Sequence, residues 1–498
     1  MVINIIRVDG ALRVTPAPPY LLQYLQYTHR SFKTVRYQRV NNFEKKLLYS
    51  VDGTSIITFQ GFFERICHLI HKNGDLFEII DQRTKLPEIQ WQAIKDINWE
   101  AIESRGPRDY QFDPFIDFLF KAEQNSGIGN AAGGWGKTAL MAITYAAFNN
   151  LNTVLAIPLE QVFTQSYGIF KGLFPDKHIG RVGGGHHDIS TDITLTTYRS
   201  LNKCALEKCE LLLADEVQCV TGDKTLEMFM KIAPIRAFGY TATDQNLFNN
   251  ADKLIKGLFG ERLIFVPYTD AQEDGAVVPG VVYFIKVPDT VMVNASGVEG
   301  KINKGIKRCP ERNKLIAQAC NLVPDQWQTL VFVDHIEDHL IPLHKDMPLG
   351  TQYIHRGNSK EKLGAYALNK KQQTDIAAAF SNNEHQYLIA TDAFRAGVDI
   401  PNCRVVVQAS GGTSEIELLQ EAYRGSRILP EVAQQRLGVG PKTHFVLIDL
   451  WDQHDSMLEN MSAKRKEIYE KQGWVTRIVD SPAQIDWHNF QRQPNKQL

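Results

Sequence analysis

The stretch Ala131-Ala132-Gly133-Gly134-Trp135-Gly136-Lys137-Thr138 constrains this chain more than any other. It reads A-x-x-G-x-G-K-T and runs straight into the apolar helical pattern Ala139-Leu140-Met141-Ala142-Ile143. A glycine-rich loop ending in Lys-Thr at a helix start gathers backbone N–H groups into a nest for phosphate oxygens. Gly134 and Gly136 let the backbone approach the phosphates, Lys137 reaches the β- and γ-phosphates, and Thr138 ligates Mg²⁺. Ala131 stands where the strict pattern has its first glycine.

With 498 residues the chain exceeds one ordinary core, so several domains are expected. The formal net charge is −1, which leaves any nucleic-acid contact to local basic patches. Seven scattered cysteines, with no C-x-x-C pair, point to reduced thiols and a cytoplasmic setting, not to a structural metal. The N-terminus is too short and too early-charged for a signal peptide, and no apolar run is long enough for a membrane span.

In chain order, residues 1–95 read as an N-terminal domain. Strand patterns run over Val2–Val8, Lys46–Val51 and Ser55–Phe59, with a helix over Phe62–His71 and a hairpin signal at Asp52-Gly53. Between Tyr27 and Lys46, six cations including Arg36 and Arg39 alternate with Tyr27, Phe32, Tyr37 and Phe43. Basic plus aromatic suits a DNA surface; a solvated face with snorkelling arms is the other reading.

Residues 96–250 read as an α/β unit around the phosphate loop. Its apolar strand Glu210–Ala214 delivers Asp215 and Glu216 at its carboxyl end, where Asp215 can hold Mg²⁺ through water and Glu216 can polarise an attacking water. A connector over 251–310 leads to a second α/β unit over 311–455, and 456–498 form a C-terminal helix and tail. In the second unit a helix starting near Ser414 carries Gln420, Arg424 and Arg427, the two arginines sharing one face. The tail stretch Lys464–Tyr469 reads as a basic helix with an exposed face.

Taken in order, these stretches resemble the motif series of the superfamily 2 helicases over roughly residues 105–450. Arg108-Asp109-Tyr110-Gln111 resembles the Q-motif, Ala131–Thr138 motif I, Ile157-Pro158 with Gln165 motif Ia, and Thr196-Thr197-Tyr198 the next nucleic-acid motif. Asp215-Glu216-Val217-Gln218 resembles motif II, Thr241-Ala242-Thr243 motif III, Val331-Phe332-Val333 motif IV, Thr391 through Pro401 motif V, and Gln420 through Arg427 motif VI. Within the superfamily the chain is similar to phage recombination helicases of the UvsW type and to the XPB-like group, a similarity that includes an N-terminal DNA-recognition domain of about the size of residues 1–95 and the closing stretch Arg465 to Trp474. Gln218 replaces the usual His or Asp of motif II, and Tyr423 the usual Gly of motif VI.

The resemblance implies two RecA-like parallel-sheet lobes in tandem behind a small α+β domain. It implies ATP and Mg²⁺, with Gln111 reading adenine, Asp399 near the ribose or the water network, and Arg424 and Arg427 as arginine fingers with Gln420 beside them. It also implies backbone contacts to nucleic acid from Pro158, Thr196, Thr197 and Thr391. The expected partner is branched DNA, or duplex with single-stranded regions, handled by a monomer alongside phage recombination proteins. A duplex translocase, a nucleotide-gated annealing protein and an RNA helicase remain the alternatives. Nothing in the chain resembles a nuclease cluster.

Overall fold

The computed structural model describes residues 1–35, 38–102, 106–158, 160–204, 208–220, 228–229, 232–243, 251–391, 400 and 402–488. Two compact units divide the chain: residues 1–132 with 136–266, and residues 267–498 with 133–135. The fold is α/β, with a parallel-strand sheet in each unit and a small α+β region at the N-terminus.

That N-terminal region is a five-stranded sheet in the spatial order Tyr49–Asp52, Ser55–Phe59, Ala11–Thr15, Val2–Val8, Leu76–Asp81. The Asp52-Gly53 hairpin closes as the sequence predicts, with Asp52 opposite Ser55. Alternation along Val2–Val8 turns Ile3 and Ile5 inward, where they meet Ile66 and Ile70 of the helix Phe63–Lys72. Leu254, from the helix Ala251–Phe259, belongs to the same core. A Cβ at Gly257 of that helix would come within 2.7 Å of the Phe62 ring, so close approach there requires glycine. Arg7, 3.8 Å from the centroid of the Phe63 ring within the same small region, donates to Asn125 Oδ1 at 2.7 Å and so ties that region to the end of the helix Asp109–Gln124.

The larger sheet of the first unit has eight strands. In space they run His186–Asp188, Ile179–Gly183, Ile193–Thr197, Thr153–Ile157, Leu211–Asp215, Arg236–Thr241, Gly127–Ala131, Arg262–Val266. All neighbours are parallel except the first pair. Such strands are covered on both faces, which is why Leu211–Ala214 reads as an unbroken apolar run and is wholly buried. The second unit has a seven-stranded, all-parallel sheet: Gln352–Ile354, Tyr387–Ala390, Gln328–Phe332, Cys403–Gln408, Phe445–Trp451, Gly280–Lys286, Val475–Val479. Residues 251–310 are thus no mere connector: Arg262–Val266 completes the first sheet and Gly280–Lys286 is an inner strand of the second. No helix among the described residues is long and apolar enough to cross a membrane.

The tail corrects the sequence reading most plainly. Lys464–Tyr469 lies within the helix Ser456–Lys471, but Arg465 and Tyr469 are fully buried. Arg465 pairs with Asp449 at 2.9 Å and Asp452 at 3.3 Å, and also donates to the carbonyls of Gly411 and Leu450. Arg312 reaches Asp452 from the helix Pro310–Asn321 at 2.9 Å, and the Tyr469 hydroxyl donates to Asp449 Oδ2 at 3.1 Å. A basic residue one helical step out of the solvent-facing set meets carboxylates at the end of a buried strand, and the charge is satisfied inside. Removing one partner leaves buried charge unpaired. Arg465→Ala should therefore lower the unfolding free energy of the second unit by about 3–5 kcal/mol, whereas Lys464→Ala, at an exposed position, should change it by no more than about 0.5 kcal/mol. Urea titrations of both variants check this; equal, small shifts would mean the network contributes nothing.

Candidate functional site

Three neighbouring parallel strands build the site. Leu211–Asp215 pairs with Arg236–Thr241, which pairs with Gly127–Ala131, so Asp215, Thr241 and the loop after Ala131 emerge at one carboxyl edge. Ligands of open parallel sheets bind at that edge. The loop turns through Gly134 at φ +91° and Gly136 at φ +122°, both in the region that favours glycine, before the helix Lys137–Ala147 begins. That helix presents its free N–H groups at the loop. Lys137 Nζ donates to the carbonyl of Ala131 at 3.1 Å, and Thr138 is half-buried in the first turn. Trp135 is buried.

Gln111 comes to the loop from the helix Asp109–Gln124. Its Oε1 accepts from the Arg108 N–H at 2.8 Å, closing the helix's capping box, and its Nε2 faces Gly136, where an added Cβ would lie 2.3 Å away. The structure thus brings the Q-motif glutamine against the phosphate loop. The glycine-lined loop, the lysine at its rim and the hydroxyl in the first helical turn form a cradle that fits a nucleotide phosphate chain.

The carboxylates stand across from it. Burial, with the Glu216 charge beside it, pushes the Asp215 carboxyl up to about 7; the Lys137 ammonium and the Glu216 N–H, which donates to Asp215 Oδ1 at 3.0 Å, act the other way. The Thr138 hydroxyl and the Asp215 carboxylate are oxygen donors of the kind that would hold Mg²⁺ with phosphate, and the Lys137 ammonium, whose charge acts on Asp215, is a partner for the phosphate and not for the metal. Glu216 has φ 50°, a left-handed backbone uncommon for a non-glycine residue. Its side chain is held: Gln218 Nε2 donates to Glu216 Oε2 at 2.6 Å, and Gln218 Oε1 accepts from the Thr241 hydroxyl at 2.6 Å. Thr241 Oγ1 in turn accepts from the Thr243 N–H at 2.9 Å. The glutamine that departs from the usual motif II residue therefore links motif II to motif III by its two amide ends.

Tyr198, which the sequence marks only as the end of the Thr196-Thr197-Tyr198 motif, adds a link to Asp215. Buried at the end of Ile193–Thr197, it donates its hydroxyl to the carbonyl of Asp215 at 2.5 Å, and its ring meets Phe229 edge-on at 5.5 Å. Burial raises its phenol well above the ordinary value, so it remains a donor. Thr196 just before it is buried, its hydroxyl donating to the Thr197 carbonyl at 3.3 Å; the Thr197 hydroxyl accepts from the Ser200 N–H at 3.2 Å and caps the next turn. Both hydroxyls have partners inside the chain. Pro158 is half-buried after the strand Thr153–Ile157.

In the second unit, the helix Glu415–Ser426 carries Gln420, half-buried, and Arg424, buried. The helix stops at Ser426, so Arg427 is its C-cap with extended backbone and does not continue the face of Arg424; it bridges to Val277 through the main chain. Thr391 is buried after Tyr387–Ala390 and its N–H donates to Ile354 O at 3.2 Å. Asp399 and Arg36 lie outside the described residues, as does the side chain of Arg39.

Residues 83–246 match the family described as type III restriction enzyme, res subunit, and residues 313–429 match the helicase conserved C-terminal domain. No curated protein sequence matches the chain. Among solved structures, S. cerevisiae Dbp5 bound to RNA and ADP BeF3 is similar at 13% identity and a TM-score of 0.54, over 78% of this chain and 94% of that one. The DUF1998 helicase MrfA bound to DNA is similar at 15% identity and a TM-score of 0.51, over 80% of this chain and 52% of that one. UvsW of bacteriophage T4 is similar at 16% identity and a TM-score of 0.42, over 96% of this chain and 100% of UvsW.

If Gln218 orients Glu216, Gln218→Ala should leave nucleotide affinity within a few fold and lower turnover about tenfold or more, the worth of a hydrogen bond to a charged group. Nucleotide titration alongside steady-state phosphate release separates the two effects. Unchanged turnover would show that the Glu216–Gln218–Thr241 chain has no part in the reaction.

Proposed function

We propose, for a chain that carries both domains of a superfamily 2 helicase, that it is an ATP-driven DNA helicase or translocase acting on branched DNA in recombination, repair or replication restart. The observation that carries the ATP part is the convergence at one sheet edge of the phosphate loop, the Q-motif glutamine and the Asp215-Glu216 pair. DNA as the track is supported by the restriction-enzyme description of the family matched over residues 83–246 and by the basic segment ahead of it.

In this reading the loop N–H groups and Lys137 hold the β- and γ-phosphates, and Gln111 turns toward adenine beside Gly136. Thr138 and Asp215 would hold Mg²⁺, which when bound neutralises phosphate charge. Glu216, aimed by Gln218, takes the proton of the attacking water. Arg424 and Arg427, with Gln420 preceding them, are assigned to the charge that develops on the γ-phosphoryl, and Asp399 to the ribose or water network. A finger of this kind is worth about 10³–10⁵ in rate. Because the Thr196 and Thr197 hydroxyls are engaged internally, contact from that stretch, as from Pro158 and Thr391, would run through backbone groups to phosphates. Such contacts hold a strand without reading its sequence, which suits a motor.

Lys137→Ala should weaken nucleotide binding and cut ATP turnover by orders of magnitude. Glu216→Gln should bind nucleotide normally and lose hydrolysis, since it removes the base and keeps the fold. Arg427→Ala should bind ATP within a few fold of the parent and lose nucleic-acid-stimulated turnover, because a finger serves the transition state. Hydrolysis at parental rate in Glu216→Gln would contradict the site. Stimulation by RNA and not by DNA, with forked, four-way and tailed substrates compared, would replace the DNA reading with an RNA one.

A further inference from the structure

The basic segment folds as a two-stranded antiparallel ribbon, Gln26–Val35 against Gln38–Leu47, and neither strand pairs with another described strand. Ten residues per strand, at about 3.3 Å each, give a ribbon roughly 30 Å long. Its root is fixed. Lys253 Nζ, 4.3 Å from the centroid of the Tyr24 ring, donates to the carbonyls of Tyr24 and, at 3.1 Å, Gln26. The Leu48 N–H donates to Leu25 O at 2.9 Å, and the Thr58 hydroxyl to Leu48 O at 2.6 Å.

Opposed residues of an antiparallel pair share a face, and successive residues alternate between faces. The register sets Thr28 opposite Lys45 and Arg30 opposite Phe43, so these four lie on one face. All four are exposed, Phe43 to 64%. Tyr27 opposite Lys46 and His29 opposite Glu44 lie on the other face. There Tyr27 is buried in the N-terminal core, and Glu44 pairs with Lys46 at 3.3 Å. Glu44 is the only acidic residue of the two strands, so the ribbon is sorted: its carboxylate is on one face, neutralised, and the other face has none.

We propose that this face of the ribbon is a duplex-DNA-binding surface that lies along a groove, with Arg30 and Lys45 on backbone phosphates and Phe43 against the sugar and base edges between them. A two-stranded ribbon fits a major groove about 12 Å wide. Cations without carboxylates are complementary to a polyanion, and a rigid root lets the ribbon hold the duplex without first being ordered. The exposed ring is what a merely solvated basic face would lack. The proposal rests on the DNA reading of the chain and gives it residues: the grip falls on Arg30, Lys45 and Phe43.

The test uses the full chain, a 30-base-pair DNA duplex and an RNA duplex of the same length, with fluorescence anisotropy between about 50 and 200 mM salt. The double variant Arg30→Ala, Lys45→Ala should lower the log–log salt slope on DNA by nearly two, since each phosphate contact contributes about 0.9. Phe43→Ala should weaken binding several-fold with its slope unchanged, and Lys46→Ala, on the opposite face, should keep the parental slope. All variants should keep the parental ATPase rate measured without nucleic acid, which shows that the fold is intact. A parental slope in the double variant, or a slope change seen on RNA alone, overturns the ribbon assignment while leaving the motor in place. Failure of the parent chain to bind DNA duplex at all overturns the DNA reading itself, and the ribbon proposal with it.

Discussion

The site depends on strand order. Because Leu211–Asp215, Arg236–Thr241 and Gly127–Ala131 are parallel neighbours, their carboxyl ends lie side by side. Residues more than a hundred positions apart in the chain therefore meet without any long-range side-chain contact having to arrange them. A parallel sheet earns this only if helices cover both faces, and the buried apolar strands supply that burial. At about 25 cal/mol for each Å² of apolar surface removed from water, the same residues that stabilise the unit also fix the geometry of its chemistry.

On that frame the hydrogen-bonded chain from Glu216 through Gln218 to Thr241 and Thr243 sets how the carboxylate points. Tyr198 holds the carbonyl of Asp215 from the turn that follows a fourth strand, Ile193–Thr197. A shift in either neighbouring loop thus reaches Asp215 and Glu216 through short, directional bonds and not through packing alone. In the second unit the corresponding rigidity comes from charge: Arg312 and Arg465 clamp Asp449 and Asp452 beneath the loop around Gly411, in front of the helix that carries Arg424. Each unit pins the elements that carry its motifs by hydrogen bonds and ion pairs between buried polar groups, which specify one arrangement where apolar packing would tolerate several.

Much of this was legible in the sequence. Apolar runs ending in polar motif residues gave the inner parallel strands, and the Gly-Lys-Thr loop gave the helix start, because both follow from local burial and backbone rules. Three features were not legible, for separate physical reasons. The ribbon over Gln26–Leu47 has neither an apolar face nor a continuous alternation, so its strand character comes from cross-strand pairing alone. Arg465 looks like any solvated cation until the strand end bearing Asp449 and Asp452 is placed against it. Helix termini hang on capping geometry, which is why Arg427 fell off the helix face that its spacing from Arg424 suggests. The Gln218 departure from the family pattern was visible as a residue, but its bridging role required Thr241 to be brought beside it.

The most direct measurement is steady-state phosphate release by the intact chain with Mg²⁺ and ATP, with and without branched DNA. The account requires a low basal rate that rises at least about tenfold with saturating DNA, as hydrolysis coupled to the nucleic-acid track demands. A rate that is absent with Mg²⁺ and ATP, or one that DNA leaves unchanged, would contradict it.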